Sequence, residues 1–371
     1  MSVKEIRMQI ELLYSIAAGF LVSVIFTPLA IKISKKRGFL AKPNHRTSHV
    51  HQVPNSGGII LLFAVLIPLF FFSDYFRSQE SSLLLSALVV LLITGIIDDF
   101  NPIPVFYKFL GQFIPAIVIV SSFSVPDLTI PFIGVLFDIP PFFNHIFWIL
   151  AIVTIMNAYN LIDGIDGLAI GMGIFSSLVF CFFFIDAQAT NLAVFSLALT
   201  GGLSGLLIFN LSRKEKIFIG DTGSLLIGGI LGYFALKFLN INGPENLNRS
   251  AFIVLGILFV PVFDMLRVIG LRLIHKQSPF AADRKHVHHI ILDKYNLWHY
   301  QVSAILMAFQ IIVFLAFYKV SNYALGGYLF VVLLIFAVYI CLLLSMVRKK
   351  QHLFSYILLL LGGFTLFLFF L

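Results

Sequence analysis

Charged residues are scarce in this chain. Only 11% of its 371 residues are Asp, Glu, Lys or Arg, whereas 60% are hydrophobic, and a typical soluble domain has about 25% charged residues. A water-exposed surface of this composition would carry large apolar patches and would aggregate. The composition therefore excludes a water-soluble globular protein and indicates an integral membrane protein.

Cysteine is scarce as well. Cys181 and Cys341 both lie inside apolar runs, so the sequence predicts neither a disulfide framework nor a cysteine zinc site. The net charge of +8 is distributed over several loops and does not form one basic patch. We therefore expect no nucleic-acid partner.

Long continuous apolar runs predict membrane-spanning helices, because barrel strands would alternate apolar and polar residues. The first run is also too long for the core of a signal peptide. We predict eleven or twelve spans in one polytopic all-α domain covering residues 1–371, the last span being the one in question. The predicted spans are 8–31, 57–76, 82–98, 105–123, 141–158, 167–186, 191–209, 222–240, 250–271, 300–319, 324–346 and 353–371.

The distribution of basic residues predicts the orientation. Most of the 25 Lys and Arg residues follow the odd-numbered spans or lie at their ends. Because Lys and Arg are enriched in cytoplasmic loops, these loops are predicted to be cytoplasmic and the N-terminus to lie outside.

Acidic residues at span ends are the first candidates for a functional site. Ionisable side chains near membrane depth are costly and usually functional, and five carboxylates close apolar spans on the predicted cytoplasmic side. For the adjacent acids a solvated helix end is an equally good explanation. The five are Asp98, Asp99, Asp163, Asp166 and Asp221.

The runs around three of these acids are more informative. Asp163 and Asp166 are three residues apart, between Asn160 and Gly167, and would share a face in a helix. Asp221 begins another span, where it could simply cap the helix. The free N–H groups of a helix start also suit phosphate, and a carboxylate there could hold Mg²⁺.

Two polar loops add basic side chains. The last loop contains Arg284, Lys285, His286, His288 and His289, which suit phosphate oxygens better than zinc because cysteine partners are lacking. The first loop, 42–58, is basic and could contact anionic lipid instead. Acids, a divalent cation and cationic groups at one membrane surface suit phosphoryl transfer between a soluble nucleotide and a lipid phosphate.

These motifs resemble those of the polyprenyl-phosphate N-acetylhexosamine-1-phosphate transferases. The resemblance covers about residues 32–299, which we take as the family-like core, with additional C-terminal spans in 300–371. The last loop is similar to that of the branch using UDP-N-acetylglucosamine. The lysine typical of the muramoyl-pentapeptide branch is absent from Val50 to Gly58, although that branch stays an alternative. The most specific runs are Asn160 to Gly167, Gly220 to Ser224 and Asp283 to His289.

The resemblance implies transfer of HexNAc-1-phosphate from a UDP-sugar to undecaprenyl phosphate, with release of UMP. It implies Mg²⁺, or alternatively Mn²⁺, held by Asp221 and Asn160. Phosphate contacts are implied for Lys108, Arg284, His288 and His289, and also for His51, which would replace the missing lysine. Asp98 and Asp99 would position or deprotonate the lipid phosphate, and Asp163 would support the metal region. The implied uridine contacts are Asp166, Asn210 and Phe218.

Several alternatives stay open. A membrane transporter is the rival of another class, but the acids cluster at one face instead of following a path across the bilayer. A covalent aspartyl-phosphate at Asp98 is the alternative to direct attack. Asp264 and Arg267 are interpreted as an ion pair outside the site. The sequence does not select the sugar, and a homodimer is an open possibility.

Overall fold

The computed structural model describes residues 3–41, 52–127, 140–243, 246–279 and 284–321. Within these ranges the chain is almost entirely helical, which confirms the predicted all-α class. The only sheet in the described ranges pairs two short antiparallel strands, β1 (Leu40–Ala41) and β2 (Val53–Pro54). The helices are α1 (Val3–Arg37), α2 (Gly57–Phe72), α3 (Gln79–Phe100), α4 (Val105–Ser121), α5 (Pro141–Ile162), α6 (Leu168–Asp186), α7 (Thr190–Asn210), α8 (Gly220–Asn242), α9 (Leu247–Ile257), α10 (Phe259–Ile274), α11 (Val287–Tyr295) and α12 (His299–Val320).

The predicted spans coincide with these helices. In the described part of the chain, seven helices are long and apolar enough to cross a membrane, or up to eight if the bent α9–α10 pair is one span. The predicted spans 57–76 and 105–123 correspond to the shorter apolar helices α2 and α4. The predicted spans 324–346 and 353–371 lie outside the described residues, so the total of eleven or twelve stays a prediction.

The predicted span 250–271 corresponds to two helices, α9 and α10, that are separated by a break. The chain bends by 77° between α9 and α10. Pro261 has no N–H to donate within the helix, and Gln310 of α12 fills the break. Its Nε2 donates to the carbonyls of Gly256 (2.7 Å) and Ile257 (3.1 Å), and its Oε1 accepts from Val260 N–H (2.9 Å). Satisfying these backbone groups allows a break within an apolar segment.

Helix α8 lies at the centre of the assembly. In its most apolar window 83% of the residues are buried, against 22% for α1, and α2, α3 and α5 all pack against it. A Cβ added to Gly95 of α3 would lie 2.3 Å from Thr222 Cα of α8. Only glycine allows this approach, which brings the end of α3 to the beginning of α8.

The segment after β2 lies beside the loop that leads into α8. Phe218 N–H donates to the carbonyl of Pro54 (2.9 Å), and Gly57 N–H donates to the carbonyl of Phe218 (3.0 Å). These backbone bonds hold Asn55 next to the first turn of α8.

Candidate active site

Three of the predicted site residues meet at one end of the helical assembly. Lys108, in the first turn of α4, places its Nζ 2.7 Å from Asp98 Oδ2 and 2.6 Å from Asp221 Oδ2. Asp98 is buried, and its Oδ1 accepts the backbone N–H of Ile103 at 2.8 Å. The ends of α3 and α8 are therefore joined through the ammonium of α4.

Asp99 caps helix α8 from the neighbouring helix α3. Its Oδ1 accepts from Asp221 N–H (2.8 Å) and Asn55 Nδ2 (2.7 Å). Its Oδ2 accepts from Thr222 N–H (3.0 Å) and Thr222 Oγ1 (2.6 Å). First-turn N–H groups have no partner inside their own helix, and a negative charge there is favourable. Asn55 was not predicted, because a single sequence gives no signal for this pairing.

The two predicted metal ligands are direct neighbours. Asn160 Nδ2 donates to Asp221 Oδ1 at 2.6 Å and to Ser224 Oγ at 3.0 Å. Among the described residues no three His, Cys, Asp or Glu side chains converge as a metal cluster. Mg²⁺, however, is usually held by one or two carboxylates plus substrate phosphates. The carboxylate oxygens of Asp221 and the amide Oδ1 of Asn160 would fit that partial set of metal ligands.

Asp163 follows α5 directly, in the polar segment that leads to α6. Its burial raises the pKa of this carboxyl well above the usual range, and the nearby carboxylates of Asp221, Asp99 and Asp166 raise it further. Asp163 therefore holds its proton more strongly than a carboxyl group in water does.

Asp166, three residues later, is in the opposite electrostatic situation. Its Oδ2 contacts Lys216 Nζ at 2.6 Å and His299 Nδ1 at 2.9 Å. Burial alone would raise the pKa of Asp166, but the hydrogen bonds from His299 and Lys216 outweigh it and the pKa is lowered. Asp166 is therefore ionised at neutral pH. Neither partner was predicted as a site residue, since Lys216 looked like an ordinary loop cation.

Asn210 and Phe218 border the same segment. Asn210 Oδ1 accepts from Gly167 N–H (2.7 Å), and its Nδ2 donates to the carbonyl of Ile217 (3.0 Å). Asn210 thus ties the α5–α6 and α7–α8 loops together. Lys216 Nζ lies 5.5 Å from the centroid of the Phe218 ring, within the range of a cation–π contact.

Two buried histidines face this loop from the start of α11. A Cβ added to Gly164 would lie 2.5 Å from His288 Nε2. Within the described part of the chain His288 Nε2 and His289 Nδ1 are buried without a hydrogen-bond partner, which is unusual for buried polar atoms. Burial lowers the pKa of His288 well below its usual value and that of His289 to about 4. Both imidazoles are neutral at pH 7.

Asp264 supports these histidines from α10. The predicted pair with Arg267 is confirmed, with Arg267 Nη2 at 2.9 Å from Asp264 Oδ1. Asp264 also accepts from His286 Nδ1 (2.8 Å) and from Val287 N–H (3.1 Å). Asp264 was predicted to lie outside the site, and its contacts show that it also anchors the first residues of α11. Its position as an acid inside an apolar span was the available signal.

Of two further predicted phosphate contacts, Arg284 lies near His288 and His289, whose pKa values its charge helps to lower. Arg284 forms a paired contact with Asp293 of α11, with Nη2–Oδ1 at 2.7 Å and Nε–Oδ2 at 3.0 Å. Its guanidinium is thus directed to its own loop and helix. His51 lies outside the described residues.

The helical assembly defines a class, a polytopic membrane protein with a cluster of charged and polar side chains at one end of its helices. Residues 81–239 match the profile of Glycosyl transferase family 4. A probable undecaprenyl-phosphate N-acetylglucosaminyl 1-phosphate transferase of Bacillus subtilis is 30% identical over 76% of this chain and 78% of its own. The decaprenyl-phosphate N-acetylglucosaminephosphotransferase of Mycobacterium tuberculosis is 32% identical over 70% of each chain. An undecaprenyl-phosphate alpha-N-acetylglucosaminyl 1-phosphate transferase of Escherichia coli O157:H7 is 31% identical over 74% of each.

The chain belongs to the polyprenyl-phosphate N-acetylglucosamine-1-phosphate transferases of glycosyl transferase family 4. The predicted family is confirmed, and the pentapeptide and transporter alternatives are not favoured. The core bounds 32–299 and the individual residue roles stay predictions.

Proposed function

We propose that this protein transfers N-acetylglucosamine 1-phosphate from its UDP-sugar to undecaprenyl phosphate, releasing UMP and leaving a lipid-diphosphate sugar that initiates a cell-envelope glycan. The observation that carries the proposal is the meeting of Asp98, Lys108, Asn160 and Asp221 at one end of the helices. The names of the relatives, which act on polyprenyl phosphates and N-acetylglucosamine, support the choice of substrates.

The donor oxygens support a role for a divalent cation. Asp221 and Asn160 would hold Mg²⁺, with Mn²⁺ as a substitute. When bound, the metal would supply Lewis-acid neutralisation of the charge on the transferring phosphate.

The protein's own groups have the remaining tasks. Lys108 and the neutral imidazoles of His288 and His289 bind phosphate oxygens, a role that fits the one buried ring nitrogen of each histidine that has no hydrogen-bond partner among the described residues. Asp98 and Asp99 position the lipid phosphate indirectly, Asp98 through the ammonium of Lys108 and Asp99 through the first turn of α8 that it caps. An oxygen of that phosphate attacks the β-phosphorus of the UDP-sugar, the bond between the β-phosphorus and the bridging oxygen breaks, and UMP leaves with that oxygen.

Asp163 and Asp166 have different parts because their pKa values are shifted in opposite directions. Asp163, whose protonated form is favoured, is suited to donate a hydrogen bond near the metal region. Ionised Asp166 accepts one from the uridine, beside Phe218 as a stacking surface. Arg284 reaches a phosphate only after it leaves Asp293.

The geometry around Asp98 supports direct attack over a covalent aspartyl-phosphate. Both of its oxygens have partners, Ile103 N–H and Lys108 Nζ, so neither is poised as a nucleophile. Direct attack predicts that UMP appears only when both substrates are present. A phosphorylated protein trapped with UDP-sugar alone would favour the covalent route.

The basic loops support a location in the inner membrane, with the N-terminus outside and the site at the cytoplasmic face. Accessibility of single introduced cysteines to a membrane-impermeant reagent tests this orientation. A homodimer stays a prediction. The mass of the detergent-solubilised particle tests it.

The decisive experiment is UMP release by the full-length protein in detergent. The assay contains undecaprenyl phosphate, Mg²⁺ and UDP-N-acetylglucosamine. It compares Asp221→Asn with Glu80→Gln, because Glu80 is an acid of α3 that contacts the opposite end of α8. We expect UMP only when lipid phosphate is present, a loss of about a hundredfold or more in Asp221→Asn, and little loss per folded molecule in Glu80→Gln. A wild-type protein that is inactive with every UDP-HexNAc would contradict the proposal.

A further inference from the structure

The ammonium of Lys108 lies between two carboxylates that come from different helices. Its Nζ is 2.7 Å from Asp98 Oδ2 and 2.6 Å from Asp221 Oδ2. These are distances of strong charge-assisted hydrogen bonds, and the Lys108 side chain is only 19% exposed. The ammonium therefore bridges one oxygen of each carboxylate.

Both oxygens of Asp221 already have a donor. Oδ1 accepts from Asn160 Nδ2 and Oδ2 accepts from Lys108 Nζ. A metal ion bound to Asp221 beside Lys108 would share one carboxylate with an ammonium. At such short separation, in a site largely removed from water, the repulsion between the two cations is strong. Asp221 consequently favours one cation at a time.

The neighbouring carboxylate does not balance the charge. Asp99 accepts from uncharged groups, namely the Asn55 amide, the Thr222 hydroxyl and the N–H groups of Asp221 and Thr222. Among the ion pairs of the described residues, Lys108 supplies the only cation that contacts Asp98 and Asp221, and no cation contacts Asp99. Within the described residues two carboxylates thus share one ammonium, and the pair attracts further positive charge.

We propose that Lys108 is a displaceable counter-cation: its ammonium pairs with the Asp221 carboxylate that a divalent cation would need, and with Asp98 beside it. It leaves these carboxylates when a phosphate ligand offers it a new partner. The inference rests on the proposed metal-dependent transfer. The flexible four-carbon stem of lysine allows the ammonium to move without a change of the α4 backbone.

This arrangement couples metal binding to nucleotide binding. Without a phosphate, the metal competes with Lys108 and binds weakly. With a phosphate present, the displaced ammonium is again neutralised, so the two ligands favour each other's binding. A coupling of this kind keeps the metal from binding firmly before the nucleotide does.

The test is Mn²⁺ binding to the purified full-length protein in detergent, measured from the EPR signal of free Mn²⁺. Lys108→Gln is compared with Lys216→Gln, which removes an ammonium of the same end that pairs with Asp166 instead. Without nucleotide, we expect Lys108→Gln to bind Mn²⁺ about tenfold or more tightly than wild type. Lys216→Gln should change affinity by less than about threefold, because it acts only at longer range.

A second measurement repeats the Mn²⁺ titration in the presence of UMP. The affinity of wild type for Mn²⁺ should rise about tenfold, and that of Lys108→Gln should rise clearly less. Because loss of Lys108 leaves its carboxylates unbalanced, Lys108→Gln should also unfold at a lower temperature than wild type, and Mn²⁺ should restore more of the difference than it adds to wild type.

A charge-retaining variant covers the case in which Lys108→Gln does not fold. Lys108→Arg keeps the cation and should bind Mn²⁺ no more tightly than wild type. Four results would each overturn the inference. Lys108→Gln could bind Mn²⁺ no more tightly than wild type, or Lys216→Gln could gain as much affinity as Lys108→Gln. Lys108→Arg could bind Mn²⁺ more tightly than wild type, or no variant could bind Mn²⁺ at all. UMP release by the wild type is measured separately, so failure here leaves the proposed reaction to its own test.

Discussion

Helices α3 and α8 are antiparallel partners that carry a polar cluster at each end. At one end Asp98 and Asp99 of α3 meet Asp221 of α8, with Lys108 between them. At the other end Glu80 of α3 meets residues near the end of α8. There Lys237 Nζ lies 2.9 Å from Glu80, and Tyr233 donates to Glu80 Oε1 at 2.5 Å.

The two ends differ in their balance of charges and in how many of their polar atoms have hydrogen-bond partners. Glu80 is matched by one ammonium, and Tyr233 in turn accepts from the hydroxyl of Tyr75 at 2.6 Å, so that cluster closes on itself. At the Asp221 end, within the described residues, Asp98 and Asp221 share the single ammonium of Lys108. There, too, one nitrogen atom each of His288 and His289 has no hydrogen-bond partner among the described residues. A saturated, balanced cluster stabilises the fold. An unbalanced one has capacity left for a ligand.

Of the changes that distinguish the two ends, Asp99→Ala is expected to have the largest effect on stability. The change removes the acceptor of two N–H groups, a hydroxyl and an amide, so we expect a loss of about 2–4 kcal/mol in the free energy of unfolding. UMP release should also fall, since the first turn of α8 carries Asp221. Thermal unfolding in detergent and the UMP assay measure the two losses, and Asp99→Asn, which keeps one acceptor oxygen, should be intermediate. A fully stable Asp99→Ala would show that this carboxylate does not cap α8.

The opposite end should respond in stability alone. Tyr233→Phe removes the donor to Glu80 and leaves the Tyr75 hydroxyl without its acceptor. We expect a loss of about 1–3 kcal/mol in the free energy of unfolding, with UMP release per folded molecule unchanged. A matching loss of specific activity would mean that the two ends are coupled through α8.

Acid should affect the active-site end through its histidines. The pKa of His289 is lowered by burial to about 4, and that of His288 lies well below the usual value. Between the usual pKa near 6.5 and these folded values, the unfolded chain binds more protons. The stability from neutral histidines is therefore complete above about pH 6.5 and is lost as pH falls toward 4.

Unfolding temperatures between pH 8 and pH 5 check this sign. His289→Gln should flatten the dependence on pH, whereas Tyr233→Phe should shift the whole curve without changing its slope. Equal slopes for wild type and His289→Gln would assign the acid sensitivity to other groups.

The smallest effect is expected at the pair of Arg284 and Asp293, whose side chains are 29% and 52% exposed. Asp293→Asn should change the free energy of unfolding by less than about 1 kcal/mol, because exposed ion pairs contribute little. It should also release Arg284 toward phosphate and lower the KM for UDP-sugar slightly. A raised KM with unchanged kcat would show instead that Asp293 holds Arg284 where the substrate needs it.

Much of the site could be predicted because polar residues are rare in this chain. Asp98, Asn160 and Asp221 stood out against apolar spans, and the structure brings Asp98 and Asp221 to Lys108 and Asn160 to Asp221. Asn55 and His299 could not be predicted in the same way. They reach Asp99 and Asp166 across long stretches of sequence, and no local pattern encodes such a pairing.

By itself the sequence determined the membrane class, the helical spans and the acids at their ends, because composition and period follow from the solvent that surrounds each segment. Only the tertiary structure decided which donor faces which carboxylate. It placed Gln310 in the break before α10, Asp99 on the first turn of α8 and Lys108 between two acids. These contacts join residues far apart in the chain, and they depend on the close packing of helices at positions such as Gly95.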